Sequence, residues 1–176
     1  MKTDPVLKKH KILIFTEYQA TANYLRRQLK DAGLTHIDEV DSTTKRDRGE
    51  IIRQFSPYYN DTTSAGLEAD GLEETRILIA TDVLSEGLNL QDATRLINYD
   101  LHWNPVRLIQ RFGRIDRIGS EHDVIHAYNF LPETALEKNL GLRERLARRI
   151  QEIHDTIGED AAILAPDERL NEQALY

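Results

Sequence analysis

The sequence predicts an α/β protein with a mainly parallel sheet of about five or six strands and helices on both faces. Apolar runs such as Ile12–Phe15 and Ile77–Ala80 are too short for helices and suit strands that are buried on both faces. Between such runs, apolar residues recur at helical spacing. Strands that alternate with helices in this way are typical of βαβ units, so we expect a parallel sheet between two layers of helices.

The elements follow one another regularly along the chain. After the first strand, an apolar stripe over residues 22–32 predicts a helix that Gly33 ends. A capping box over Thr44–Asp47 is the possible start of a second helix that ends at Phe55. Strands are predicted at 12–15, 37–40, 77–80, 96–99 and 124–130, followed by a long helix over 132–157.

Composition limits the class of protein. A chain of 176 residues fits one domain, expected at 1–160, with 161–176 as a tail or the start of a further region. There is no cysteine, and the six histidines show no metal-binding spacing, so we expect no metal site. The sequence offers no membrane span or signal peptide, which favours a cytoplasmic protein. The net charge of −7 argues against a nucleic-acid binder that uses its whole surface, but allows a local basic groove.

Residues 56–75 interrupt the alternation of strands and helices. The segment is polar, acidic and rich in turn-forming residues, and it has no periodicity. A connection of that length is either a functional lid or a disordered insertion. Its composition favours a flexible, disordered insertion.

Residues 104–119 predict a short helix with a basic face. Asn104 can cap it, Pro105 suits its first position, and Gly119 can end it. An arginine cluster on a rigid element can neutralise charge that builds on a γ-phosphate, whereas the alternative is a solvated basic face. At the helical repeat the face comprises Arg107, Gln110, Arg111, Arg114 and Arg117.

Residues 79–91, I-A-T-D-V-L-S-E-G-L-N-L-Q, directly follow a predicted strand. In open α/β sheets, ligands bind at the carboxyl ends of the strands. Thr81 offers a hydroxyl and a backbone N–H to a phosphate, and Gly87 allows close approach of the backbone to a ligand. The alternative is a plain strand–turn–helix connection with Asp82 as the helix N-cap.

Taken together, these two segments resemble motifs V and VI of the superfamily 2 helicases and translocases, with I-A-T-D-V-x-x-E-G-L-N-L followed by Q-R-x-G-R-x-x-R. K-I-L-I-F-T-E-Y at 11–18 resembles motif IV, and residues 44–55 are similar to the helix that follows it. Y-D-L-H-W-N-P at 99–105 and R-I-G at 117–119 resemble the Swi2/Snf2 branch, and its RapA-like bacterial members most closely. Ser120 departs from that branch, which usually has Gln there.

This resemblance implies the second RecA-like lobe of a two-lobe motor, with a three-layer α/β/α sandwich. In that family ATP lies between the lobes and nucleic acid runs across both. The implied cofactor is ATP, with Mg²⁺ held mainly by the first lobe. The implied partners are the N-terminal RecA-like lobe of the same protein and DNA, duplex DNA being favoured, with no membrane. The sequence has no G-x-x-x-x-G-K-[ST] loop, so we expect this lobe alone to hydrolyse no ATP.

Carried over by position, the resemblance makes Arg114 and Arg117 the arginine fingers that reach the γ-phosphate. Gln110 matches the residue that links them to the phosphate and to the other lobe. Arginine suits a finger because its charge is permanent and its planar fork binds two phosphate oxygens. The neighbouring Arg111 either touches ligand or braces the helix through a carboxylate such as Glu86.

The resemblance also implies contacts to the ATP ribose and to nucleic acid. Gly87 and Asn89 match the positions that meet the ribose, and Glu86 belongs to the same nucleotide-binding segment; some relatives have Asp at position 89. Trp103 either stacks on a base or packs as a buried anchor. The residues implied in nucleic-acid binding are Thr81, Thr16, Glu17, Lys45 and Arg46. The alternative functions are an RNA or single-stranded-DNA helicase lobe and a non-catalytic lobe that binds nucleic acid or a partner.

Overall fold

The computed structural model describes residues 9–82, 89–100, 104–116, 122, 124–130, 141, 144, 145 and 148. Within these residues the strands form one sheet in which every neighbouring pair is parallel. The strands are β1 (Ile12–Phe15), β2 (Ile37–Val40), β3 (Ile77–Ala80), β4 (Arg95–Asn98) and β5 (His126–Asn129), in the spatial order β2-β3-β1-β4-β5. The predicted parallel α/β fold is therefore confirmed.

Helices connect the strands. They are α1 (Gln19–Asp31), α2 (Arg48–Phe55), a 3-10 turn (Pro57–Tyr59), α3 (Ser64–Ala69) and α4 (Pro105–Phe112). Within the described ranges, no helix is both long and apolar enough to cross a membrane. The predicted helix over 132–157 lies almost entirely outside the described residues, and the 161–176 tail lies wholly outside them. The boundary at residue 160 therefore stays a prediction.

The chain divides into two compact units. The first comprises residues 1–102 and 110–131 and contains the whole sheet. The second comprises residues 103–109 and 132–176, and its described part includes the first turns of α4. There the Oδ1 of Asn104 accepts a hydrogen bond from Val106 N at 3.0 Å, so the predicted cap of α4 is confirmed.

Each face of the sheet is covered by its own apolar cluster, because successive strand residues point to opposite faces. One cluster, with α1, contains Ile12, Ile14, Ala22, Leu25, Ile37, Ile77, Ile79 and Ile97. The other, with α2, contains Leu13, Phe15, Val40, Ile51, Ile52, Phe55, Leu78, Ala80, Leu90, Ala93, Leu96 and Ile115. These two clusters account for the three-layer α/β/α arrangement.

The two helices that cover the sheet differ in how well the sequence predicts their ends. Gly33 has φ 76°, and its N–H donates to Lys30 O while Leu34 N donates to Leu29 O, as in a Schellman motif. The predicted end of α1 is therefore confirmed.

Helix α2 begins at Arg48, later than a capping box at Thr44 predicts. Asp47 caps it, since its side chain accepts from Glu50 N at 3.0 Å. Thr44 instead hydrogen bonds to Asp41. The prediction of a Thr44 cap is wrong, and Lys45 and Arg46, expected on this helix, both precede α2.

Residues 56–75 contain the 3-10 turn and helix α3, so the prediction that this segment lacks regular structure is wrong. Whether the segment is flexible stays a prediction. Thr63 caps α3 by accepting from Gly66 N at 3.1 Å, and Leu67 is fully buried. Average composition does not reveal this order, because a single leucine supplies the apolar anchor.

A partly buried ion-pair network holds the end of the same segment. Lys11 Nζ lies 2.5 Å from the carbonyl oxygen of Phe55 and 2.5 Å from Glu74 Oε1. It also lies 3.5 Å from Asp92 Oδ2, whose side chain is 6% exposed. Lys11 thus connects the start of β1 to both flanks of the segment.

We predict that Leu67→Ala lowers the free energy of unfolding by about 2–5 kcal/mol, because it leaves a cavity at a site that excludes water. Chemical denaturation of the chain measures the change. Leu72→Ala, at a half-buried position five residues on, is the control and is expected to cost clearly less. Equal effects in the two variants would contradict packing of α3 against the fold.

Candidate functional site

The carboxyl ends of β1, β3 and β4 bring together segments that are far apart in sequence. Thr16 N donates to Ala80 O at 3.0 Å, and Tyr99 N donates to Phe15 O at 2.9 Å. The sheet therefore places Thr16 beside Thr81, as expected for parallel neighbours in register. Ligands of open α/β sheets bind at such an edge.

Asp100 fixes the end of β1. Its Oδ2 accepts hydrogen bonds from the Thr16 hydroxyl and, at 3.1 Å, from the backbone N–H of Glu17. Thr16 is fully buried, so its hydroxyl is oriented by this carboxylate. Sequence reasoning did not single out Asp100, because it lies 84 residues from Thr16 along the chain.

The hydroxyl of Thr81 is buried and makes no hydrogen bond within the part of the chain that the structure describes. A buried polar group without a partner costs about 1–3 kcal/mol. Its backbone N–H is occupied, since it donates to Val40 O at 3.1 Å. Of the two donors predicted for a phosphate at this residue, the hydroxyl is thus the one without a partner among the described residues.

Arg111 is the charged side chain at the centre of this edge, and it is 3% exposed. Its Nε donates to Asp82 Oδ1 at 2.8 Å, and its Nη1 lies 3.3 Å from Asn98 Oδ1 and 3.2 Å from Asp100 O. The guanidinium carbon is 5.2 Å from the centre of the Phe15 ring. Arg111 therefore braces the site rather than facing solvent.

Among the described residues, the carboxylate partner of Arg111 is Asp82, whereas the sequence suggested Glu86 as an example. Glu86 lies outside the described residues, as do the predicted site residues Gly87 and Arg117. Asp82 is therefore engaged in an ion pair at the end of β3.

The continuous basic face predicted for residues 104–119 is wrong. Helix α4 ends at Phe112, and the chain then forms a turn in which Arg114 N donates to Arg111 O at 3.2 Å. Two features explain the early end: Gly113 is a poor helix former, and Ile115 is completely buried. Gly119, which lies outside the described residues, is thus not the residue that ends α4.

The turn after α4 places Arg114 next to the segment expected to meet ATP. The carbonyl of Arg114 accepts from Leu90 N at 3.3 Å. Two hydrogen bonds fix the adjacent Asn89. Its backbone carbonyl accepts one from Asn60 Nδ2 at 2.9 Å, and its Oδ1 accepts one from Gln91 N at 3.3 Å. The structure thus brings Arg114 and Asn89 together, two of the residues predicted from the sequence.

The loop that follows β2 is organised by Asp41. This carboxylate accepts from Thr43 N at 2.7 Å and from the hydroxyls of Thr43 and Thr44. Burial raises the pKa of Asp41, but these hydrogen bonds outweigh burial and hold the pKa below its usual value. Gln19 Nε2 donates to Thr43 Oγ1 at 2.5 Å, which fixes the loop beside the start of α1.

The two basic residues of that loop differ in their surroundings. Lys45 is exposed. Arg46 is exposed as well, but its guanidinium contacts Asp38 at 2.6 Å, Glu50 at 3.4 Å and the amide oxygen of Gln54. These carboxylates offset the charge of Arg46, so Lys45 is the better placed of the two for a phosphate.

The residues present fit one side of a nucleotide site. Arg114 supplies a permanent positive charge and Asn89 a hydrogen-bonding amide, while Gln110 is exposed on the last turn of α4. Among the described residues, no group of three or more His, Cys, Asp or Glu side chains is arranged to hold a metal ion.

Comparison with known proteins identifies relatives of this chain. Residues 5–119 match the family described as the helicase conserved C-terminal domain. The ATP-dependent helicase YqhH of Bacillus subtilis is 36% identical over 149 residues, which are 85% of this chain and 23% of YqhH. The RNA polymerase-associated protein RapA of Serratia proteamaculans is 34% identical over 130 residues, which are 71% of this chain and 12% of RapA. The chain thus spans less than a quarter of either relative.

A solved structure shares the fold. The crystal structure of the C-terminal part of the Fun30 ATPase domain matches with a TM-score of 0.60 at 24% identity. The match covers 80% of this chain and 41% of that one. It supports the RecA-like three-layer architecture.

We predict that Arg111→Ala lowers the free energy of unfolding by about 3–5 kcal/mol, because it leaves the Asp82 carboxylate without its buried partner. Arg53→Ala is the matched control, since Arg53 Nη2 lies 2.7 Å from Asp70 Oδ2 but the two side chains are 42% and 56% exposed. That exposed pair is expected to be worth about 1 kcal/mol or less. Chemical denaturation compares the two variants, and similar losses would contradict the bracing role of Arg111.

Proposed function

This chain belongs to the family of helicase conserved C-terminal domains, and from that premise we propose that it is the second motor lobe of an ATP-dependent DNA helicase or translocase of the Snf2/RapA type. Its relative YqhH, named as an uncharacterized ATP-dependent helicase, supports that activity at the level of the family. The observation that carries the proposal is the convergence of three motif-bearing segments on Arg111, which contacts Phe15, Asp82 and Asp100.

On the nucleotide side, Arg114 and Arg117 are proposed as the groups that stabilise negative charge on a γ-phosphate held by a first lobe. ATP supplies the phosphoryl group, and Mg²⁺ belongs mainly to that first lobe. Gln110 orients the fingers, while Asn89, Gly87 and Glu86 are assigned to the ribose side. A finger acts through positioning and electrostatics, because a permanent charge is brought to the place where charge develops.

On the nucleic-acid side, Thr16, Glu17 and Thr81 are proposed to line the track at the carboxyl edge of the sheet. The hydroxyl of Thr81, which has no partner among the described residues, is the strongest support, since a phosphate oxygen would satisfy it. Lys45 adds an exposed positive charge on the neighbouring loop, and Arg46 a smaller one. Such contacts hold the backbone and read no base sequence, as a translocase requires.

We predict that Arg114→Ala or Arg117→Ala, in a full-length protein that contains this lobe, lowers ATP turnover by about a thousandfold or more while leaving nucleic-acid binding largely intact. The charge is lost from the nucleotide side alone, so steady-state ATPase and equilibrium DNA binding separate the two effects. Arg53→Ala is the control, and the isolated lobe, expected to be inactive, is the blank. Unchanged turnover in both finger variants would refute the assignment.

We also predict that the full-length protein moves along duplex DNA and couples ATP turnover to it more strongly than to RNA or single-stranded DNA. The W-N-P segment at 103–105, part of the resemblance to the Swi2/Snf2 branch, favours the duplex. Translocation and strand-displacement assays on the three nucleic acids test the preference. Stimulation by RNA alone would favour an RNA helicase, and binding without turnover would favour a non-catalytic lobe.

A further inference from the structure

We propose that Asn60 is a positioning residue of the nucleotide site, which fixes Asn89 for contact with the ribose of ATP. The inference rests on the proposed function, which assigns Asn89 to the ribose side, and it extends that site to the 56–75 segment. One amide carries it: Asn60 Nδ2 donates to Ser56 O at 2.6 Å and to Asn89 O at 2.9 Å. An amide nitrogen has two N–H donors, so it can serve both carbonyls at once.

The 3-10 turn gives Asn60 a firm support. Pro57 is buried at the first position of the turn, and its ring fixes the backbone angle φ there. The carbonyl of Pro57 accepts from Asn60 N at 3.0 Å and from Thr62 N at 3.1 Å. Ser56, just before the turn, is fully buried. The backbone of Asn60 is therefore held by its own segment, and its side chain can hold a second segment in place.

The same turn also holds the chain beyond Asn89. Asp92 N donates to Ser56 Oγ at 3.2 Å, and Asp92 Oδ2 accepts from Tyr58 N at 3.1 Å. Leu90 is fully buried between the two contact points. Residues 90–92 are thus anchored without Asn60, whose amide is the contact from the turn that reaches Asn89 itself. Loss of this amide is expected to loosen Asn89 and to leave the rest of the segment attached.

The side chain of Asn89 depends on its backbone for its position. Its Oδ1 accepts from Gln91 N at 3.3 Å, which is long for a hydrogen bond and fixes the amide only weakly. Because Oδ1 is engaged there, Nδ2 is the atom that we assign as the donor to a ribose hydroxyl. A ribose contact is made alike in the bound substrate and in the transition state. Its misplacement therefore raises the KM for ATP and leaves kcat unchanged.

The test is Asn60→Ala in the full-length protein, with steady-state turnover of ATP and of 2′,3′-dideoxy-ATP. We expect the KM for ATP to rise about three- to tenfold, the range of a single hydrogen bond, and kcat to stay within about twofold. With the dideoxy nucleotide the hydroxyls that Asn89 would contact are absent. The KM values of variant and parent are therefore expected to agree within about twofold for that nucleotide.

The matched control is Asn23→Ala. Asn23 Nδ2 donates to Gln19 O at 3.1 Å, four residues earlier, as Asn60 does to Ser56, but on the helix α1. This variant removes the same local hydrogen bond without a contact to residue 89, and its KM for ATP is expected to match that of the parent.

A merely structural role of Asn60 would lower the maximal rate with the folded fraction and leave the KM for ATP unchanged. An unchanged KM in folded Asn60→Ala therefore overturns the inference, and so does an equal rise with the dideoxy nucleotide. Should Asn60→Ala fail to fold, Asn60→Asp, which has the same size but lacks the amide donors, is judged by the same two comparisons.

Asn89→Ala separates this inference from the proposed function. If Asn89→Ala raises the KM for ATP and Asn60→Ala does not, only the positioning role is removed. If Asn89→Ala leaves that KM unchanged, or if the parent shows the same KM for both nucleotides, the ribose assignment fails first and the inference falls with it.

Discussion

The burial of one permanently charged guanidinium constrains the architecture of the sheet edge. Arg111 is almost inaccessible to solvent, and an arginine cannot shed its charge when it is buried. It therefore needs an anion and several oxygen acceptors within reach, and these come from Asp82, Asn98 and Asp100 at the ends of β3 and β4. The aromatic ring of Phe15, the last residue of β1, packs against the guanidinium. The guanidinium thus links the ends of three adjacent strands, whose register the backbone ladders of the sheet set.

The strand order makes that requirement possible to meet. Because β1 lies between β3 and β4, residues from three distant parts of the sequence end at the same edge. Parallel strands also end with the same polarity, so their carboxyl ends present loops rather than hairpins to one side. The central strands β1 and β3 are wholly apolar, whereas β4 carries the buried polar side chains of Arg95 and Asn98. The cluster around Arg111 therefore combines residues of strand ends, of the loops that follow them and of α4.

The sequence was sufficient for those parts of the fold that depend on local patterns. Strands buried on both faces appear as short apolar runs, and α1 as an apolar stripe ended by Gly33. β4 begins at Arg95, one residue earlier than predicted, because a charged residue that is buried does not belong to an apolar run. Motifs predict Thr16, Thr81, Asn89 and Arg114 as site residues, and their roles stay predictions. Asp100 is defined by contacts across 84 residues, which no local pattern records.

The different environments of Arg111 and Arg114 show why helical periodicity misleads at this site. Residues three apart on a continuous helix lie about 60° apart, so both would be buried or both exposed. Here the helix stops at Phe112, and the turn through Gly113 lets the chain bury Ile115 and leave Arg114 only half-buried. Arg111 is therefore an internal brace, whereas Arg114, three residues further on, is partly exposed. The break in α4 is what gives two residues of one type, so close in sequence, different surroundings.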